Sequence, residues 1–484
     1  MRLRATLLAG LSLIALSSPV QAADVSASGA EAMQQALTRY LPRDLVDAGL
    51  VTVRAATSFY ELRLDPSALF ADADPQSVSI SGLKPFVHYV RPLDGGLYSV
   101  ESSEKLDIRG TFNGGAEVTS FTYLIDTMKM TGVYDPEISY FRNGEFTARS
   151  ARFTTETPTQ SVEASFGEMA MTVAAVKADD QTLDLNSTGF LKAFAETIVG
   201  KETGRVEIAA DTVDIDVRMD GARYKALQDI VFFVLDNADK QSLPPAEAGR
   251  LKEMLRAVLP VFTDLQETIA ASNVNVVTPQ GAFSIDKVGY RIGMNGIAPS
   301  TRVSFGFSAD GPRPPAGIMP DAFLPAVPTT ARFDMAITDL NLEGAVHYLL
   351  DNADFTGQTQ LTEAQNKELG RIVLPGGAMN IAFDAVEAKS EIYDVRLNGR
   401  MTVYPEEKGR QSVEVTIIAR DFDKTVAFLQ KNAGIVPQFG QAAFVLLMVK
   451  GFGKDQGDGS QRWDVAVNEA GKVLINGNPL PFQP

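Results

Sequence analysis

Apolar and polar residues alternate along most of this chain, and in a few places the alternation gives way to the three-and-four spacing of a helix. Val213-Asp214-Ile215-Asp216-Val217-Arg218-Met219 shows the first pattern, with charged residues between apolar ones. Successive side chains on a strand point to opposite faces, so this run predicts a strand with one buried face and one wet face. Phe121, Tyr123 and Ile125 alternate likewise, as do Met169, Met171 and Val173, then Tyr290, Ile292 and Met294, then Val303, Phe305 and Phe307. Asp94-Gly95-Gly96, Asn113-Gly114-Gly115 and Asn143-Gly144 predict turns between strands, and Thr278-Pro279-Gln280-Gly281 predicts a hairpin. Residues 30–46 and the stretch Gly189 to Ile198 are expected to be helical.

The helical spacing recurs with a common ending. Leu235-Asp236-Asn237-Ala238-Asp239 returns as Leu350-Asp351-Asn352-Ala353-Asp354, with a weaker echo at Asn432-Ala433. Aligned on the three asparagines, the apolar stripes superpose without gaps: Leu227, Leu342 and Phe422; Val231, Val346 and Val426; Val234, Leu349 and Leu429. A second helix is predicted after each. The first of these carries Leu251, Leu255, Val258, Leu259, Phe262 and Leu265, with a kink at Pro260. The next opens at the capping-box sequence Thr362-Glu363-Ala364-Gln365. The third is the apolar run Ala442 to Val449, too short for a membrane span and expected to be buried. Strands follow at Met379 to Phe383 and near Tyr393 to Leu397, with Asn398-Gly399 as a turn, and a hairpin across Glu469-Ala470-Gly471 ends the chain.

The expected fold is α+β and β-rich: an elongated, twisted antiparallel sheet of repeated strand-helix-helix-strand units, helices packed on one face. The expected segments are a signal peptide at 1–22, an N-terminal β-rich region at 23–203, and three units at 204–328, 329–410 and 411–484. Length alone suggests about three domains.

Arg2 and Arg4, the apolar stretch Leu7 to Leu16 and the small residues of Val20-Gln21-Ala22 resemble a cleavable secretory signal, so a periplasmic location is expected. Loss of its two arginines moves the net charge from −16 to −18, which argues against nucleic acid or anionic headgroups as partners. There is no cysteine, which removes disulfides and thiol chemistry.

Catalytic signatures are few. His88 and His347 are the two histidines and lie far apart in sequence. Asp214 and Asp216 are two apart on one strand, so both reach the same face, where they suit a cation or the paired carboxylates of sugar hydrolysis. They equally suit the wet half of an amphipathic strand, the reading adopted here. Lys454-Asp455-Gln456-Gly457-Asp458-Gly459-Ser460 has a faint likeness to a calcium loop without its ligand spacing. The Asp-Asn-Ala-Asp echo is taken as a helix ending, since asparagine suits that position. Phe305 and Phe307 suit either a core or a lipid groove. No catalytic, cofactor-binding or metal-binding residue is assigned, and no cofactor is expected.

The strand Val213 to Met219, the helical insertion after it and the closing phrase Gly471-Lys472-Val473-Leu474-Ile475-Asn476-Gly477-Asn478-Pro479-Leu480 resemble a domain-of-unknown-function family of periplasmic alphaproteobacterial proteins, and more distantly AsmA-like envelope proteins. The resemblance spans roughly residues 200–484. It implies an elongated β-rich protein associated with lipid handling and outer-membrane upkeep, with no catalytic residues to carry over. The chain departs from the AsmA-like pattern in its cleavable signal and shorter length. The expected function is therefore a non-enzymatic envelope protein binding an apolar ligand such as lipid. The alternatives are a scaffolding module for envelope proteins and, behind it, a carboxylate-dependent sugar hydrolase.

Overall fold

A computed structural model describes residues 25–479 except 40, 72, 116, 238, 239, 241, 353–360 and 408. The signal peptide, the last residue of the closing phrase and the Ala-Asp ends of both full echoes lie outside the described residues. The chain divides into two compact units, one running to Thr263 and the other beginning at Asp264. Every strand pairing among the described residues is antiparallel.

The N-terminal unit opens with helix α1 (Ala27–Thr38), capped by the Ser26 side chain, and the short α2 (Arg43–Asp47). Its strands are β1 (Val51–Ala55), β2 (Tyr60–Leu64), β3 (Val78–Ser81), β4 (Phe86–Pro92), β5 (Tyr98–Asn113), β6 (Val118–Asp135), β7 (Tyr140–Glu156), β8 (Gln160–Lys177), β9 (Leu183–Gly200) and β10 (Gly204–Ala222). From β4 to β10 they form a meander, β1 and β2 extend it beyond β4, and β3 and β4 share one edge of β5. Helices α3 (Tyr224–Asp236) and α4 (Pro245–Ala257) follow.

The second unit holds β11 (Asp264–Thr278), β12 (Gly281–Met294), β13 (Thr301–Asp310) and β14 (Thr330–Leu340), then α5 (Leu342–Asn352) and α6 (Glu363–Val373). Strands β15 (Met379–Lys389), β16 (Asp394–Val403) and β17 (Gln411–Arg420) lead to α7 (Phe422–Asn432) and α8 (Gln438–Lys450). The chain closes with β18 (Lys454–Asp455), β19 (Ser460–Val467), β20 (Val473–Ile475) and β21 (Asn478–Pro479). From β11 to β17 each strand pairs with the next, and β19 joins β17.

The architecture corrects the expected fold. It is a large antiparallel meander with sparse helices, not an α+β repeat with helices laid on one face. The reason is parity. Four strands separate α4 from α5, but three separate α6 from α7. In an antiparallel sheet an odd number of strands brings the chain out at the other end. So α5 and α6 leave where β14 finishes and β15 begins, whereas α7 and α8 leave from the opposite end, where β17 finishes and β19 begins. The matched helix stripes therefore mark similar excursions from strand ends, not copies of one folding unit.

Four local expectations also change. Gly189 to Ile198 lies in β9: Ala193 has left-handed backbone (φ 52°), and this irregularity shifts the inward positions from odd to even numbers. Leu191, Phe194 and Ile198 then sit three and four apart, imitating a helix. Asn143-Gly144 lies inside β7, where Gly144 faces Gly132, and a side chain on Gly132 would strike the Phe141 ring. Asn398-Gly399 lies inside β16, where a side chain on Gly399 would strike the Glu414 carbonyl. Helix α4 stops at Ala257, and Leu265 belongs to β11.

Buried cores lie toward the strand ends and, in the N-terminal unit, also at mid-strand around Ile125, Ala148 and Ala151. Ala30 and Met33 of α1 close over Val53, Val90, Tyr98, Tyr134 and Phe141. In the second unit Phe422, Val449 and Phe452 pack around Trp463, whose indole N–H donates to the Val449 carbonyl at 2.9 Å.

Candidate functional site

Strand register builds the most extensive feature of each unit, a sheet face that is almost wholly apolar. In the second unit one cross-strand row reads Phe307, Phe333, Val386, Leu397, Ile417 and Trp463, each directly opposite the next. Inward positions of β13 to β17 and of β19 carry no charged side chain. The row is sealed where α7 and α8 cover Trp463 and open at its other side: Phe307 is 48% exposed, Phe333 40%, and the neighbouring Tyr290 42%.

The N-terminal unit repeats the arrangement. Ile108 faces Tyr123, Tyr123 faces Phe153, and Phe153 faces Ala164. Along the middle of this face Ile125, Ala148, Ala151 and Ala210 are buried, with Phe146, Phe153 and Phe166 half-covered around them. Inward positions of β5 to β10, short of the strand ends, carry no lysine or arginine; the charged residues there are Glu104 and Glu196. The basic residues lie on the other face, where Glu168 pairs with Arg149 at 3.2 Å and Lys192 at 3.4 Å. Apolar surface left in contact with water costs free energy.

A polar spot interrupts the apolar face at the end covered by α1. Strand β4 leaves β5 after Tyr89, which pairs with Glu101, and the Glu104 carboxylate fills the break by accepting the Val87 N–H at 2.7 Å. His88 stands beside it on the apolar face, opposite Leu62. Its Nδ1 is buried without a hydrogen-bond partner. Burial holds the imidazole below its ordinary pKa of 6.5, and the nearby Glu104 charge opposes that shift.

The other candidates resolve as follows. Asp214 and Asp216 are exposed on the polar face, opposite Phe190 and Thr188. In the loop after β18, Asp455 accepts the Gly457 N–H, while Asp458 accepts the Ser460 N–H and hydroxyl and pairs with Arg420. These carboxylates are engaged in turn formation. Asn237, Asn352 and Asn432 each end a helix and donate Nδ2 to the carbonyl four residues back, at 2.7, 2.9 and 2.9 Å. His347 is on α5, 3.7 Å from Glu343. No group of three histidine, aspartate or glutamate residues is placed to hold a metal among the described residues. A polar concavity of about 330 Å³ lies on the outer face of the second unit, where Arg400 pairs with Glu414 and Asn380 bonds Asp339 and Thr402.

Helix α8 overturns the expectation of burial. Ala443 is its one buried residue, while Phe444 (63%), Val445, Leu447 and Met448 are exposed. None of the described helices is long and apolar enough to cross a membrane. The polar spot at His88 and the exposure of α8 were the features least accessible to pattern reasoning. The first depends on where two strands part, and the second on what covers a helix.

Compared with known proteins, the chain matches no family model, no curated sequence and no solved structure.

Proposed function

We propose that this is an exported, non-enzymatic envelope protein that holds the hydrocarbon part of a lipid against its open sheet faces. The observation that carries the reading is the uncharged row from Phe307 to Trp463, half-exposed at one side. Each aromatic or branched side chain covered by an acyl chain removes apolar area from water at about 25 cal/mol per Å². A few such rows suffice for micromolar affinity once the ordering of ligand is subtracted. The absence of lysine and arginine from these faces fits chains and uncharged groups, not phosphate, as what lies on them. The signal-like N-terminus and the resemblance of Gly471 to Leu480 to periplasmic proteins support an envelope setting and a part in outer-membrane upkeep. The test is gentle purification from the native envelope followed by mass spectrometry of extracted small molecules. Stoichiometric lipid is expected, and a protein that returns none and displaces no apolar fluorophore would refute the reading.

The exposed apolar side of α8 supports a second reading, in which the protein scaffolds other envelope proteins. It predicts that cross-links placed at Phe444 or Leu447 capture one specific protein from the envelope, whereas lipid binding alone predicts none.

A further inference from the structure

The apolar face of the N-terminal unit is closed at one end by α1, and the polar spot lies beside that closure. Met130, level with Ser102 two residues before Glu104, packs against the core that α1 completes, as does Leu62 opposite His88. A chain lying along this face therefore meets His88 and Glu104 where the covered end begins. An orphaned buried ring nitrogen is unusual, because buried polar atoms are nearly always paired and leaving one unpaired is costly. Glu104 already spends one oxygen on the Val87 N–H, which fixes its carboxylate at the spot.

We infer that His88 and Glu104 receive the polar end of the bound molecule and select an uncharged amphiphile bearing a hydroxyl group. The inference rests on the proposed lipid-binding function. A hydroxyl donates to the neutral His88 nitrogen and accepts or donates at low cost beside it. A carboxylate or phosphate head meets the negative Glu104 with no lysine or arginine on the face to offset it. Glu104 draws a protonated amine, but that head must shed its hydration at a spot whose ring nitrogen is buried, so a head-group series separates the cases.

The experiment is displacement of the apolar fluorophore N-phenyl-1-naphthylamine from the full chain at pH 8 by four competitors of one chain length: a monoacylglycerol, the methyl ester, the free fatty acid and the alkylamine. The monoacylglycerol should displace at about fivefold lower concentration than the ester, the worth of one neutral hydrogen bond, and the fatty acid should be weakest. His88→Leu should erase the preference for monoacylglycerol while leaving ester displacement unchanged, and His88→Gln, which keeps an acceptor, should restore part of it. Glu104→Gln should narrow the gap between ester and fatty acid. Equal displacement by all four, tightest binding of the amine, or a preference that survives His88→Leu would overturn the assignment. Each of those results leaves the lipid-binding reading standing; failure of every competitor and of the fluorophore itself would remove that reading instead.

Discussion

Substituting Phe307 tests whether the sheet face is open. A phenylalanine side chain has roughly 200 Å² to bury, and Phe307 is 48% exposed. About half of that area is thus covered, worth about 2.5 kcal/mol at about 25 cal/mol per Å². Alanine keeps part of the cover, so Phe307→Ala should cost about 1–2 kcal/mol. Leu350 of α5, 2% exposed in the same unit, is the control; Leu350→Ala should cost about 2–5 kcal/mol because a cavity is left as well. The readout is built in. Trp463 is the one tryptophan of the chain and is buried in this unit, so its fluorescence during urea unfolding reports the second unit. If Phe307→Ala costs 3 kcal/mol or more, the face is packed in the free protein and the apolar row is not open. Added lipid at free concentration L stabilises by RT ln(1 + L/Kd), so Phe307→Ala, with weakened binding, should lose part of that gain while Leu350→Ala keeps it.

Three further outcomes are expected. Asn432→Ala should cost about 1 kcal/mol or somewhat more, since it removes a bond to the Phe428 carbonyl from a residue that is 3% exposed, and Asn352→Ala should cost less; equal, negligible losses in urea titrations would discredit the helix-ending role. Phe444→Ser with Leu447→Ser should leave the unfolding free energy from urea titration within about 0.5 kcal/mol, the range typical of surface changes, because both side chains are exposed. His88, held below 6.5, takes up its proton less readily when folded than when unfolded, so its contribution is fully present above 6.5 and is lost as pH falls from 6.5 through the folded value. Unfolding midpoints at pH 7.5 and 5.5 should therefore converge in His88→Leu. The carboxylates of Asp464, lowered chiefly by Arg462, and of Asp339, lowered chiefly by the Thr338 hydroxyl, act in a separate window: their support persists above 3.8 and fades below it.

The strands were legible because alternation is a local signal. Val213 to Met219 occupies β10 with Ile215 inward and Asp214 and Asp216 outward, as the pattern required. Helix ends were legible too, since an asparagine bonding four residues back acts within one turn. Pattern failed where one residue shifts the phase. At Ala193 the left-handed backbone turns a two-residue period into spacings of three and four, and nothing local separates that from a helix. Glycine misled for a related reason: Gly144 and Gly399 leave room for neighbouring strands, a demand set by residues far away in sequence. The repeat was legible as an echo but not as architecture, because the parity of intervening strands decides at which end a helix pair emerges.

Openness of the apolar faces belongs to this last kind of property. The same alternation describes a strand buried under a helix and a strand whose apolar side meets water, so Phe305 and Phe307 carry no local mark of their exposure. What separates the two is the balance between apolar area offered and area covered. In the second unit six strands contribute to one row, while α7 and α8 reach it only around Trp463. The helices are too short and too near the strand ends to cover the rest. In the N-terminal unit the corresponding face carries no lysine or arginine short of the strand ends, and the unpaired His88 nitrogen stands at its covered end, which is what the proposed uncharged ligand would meet.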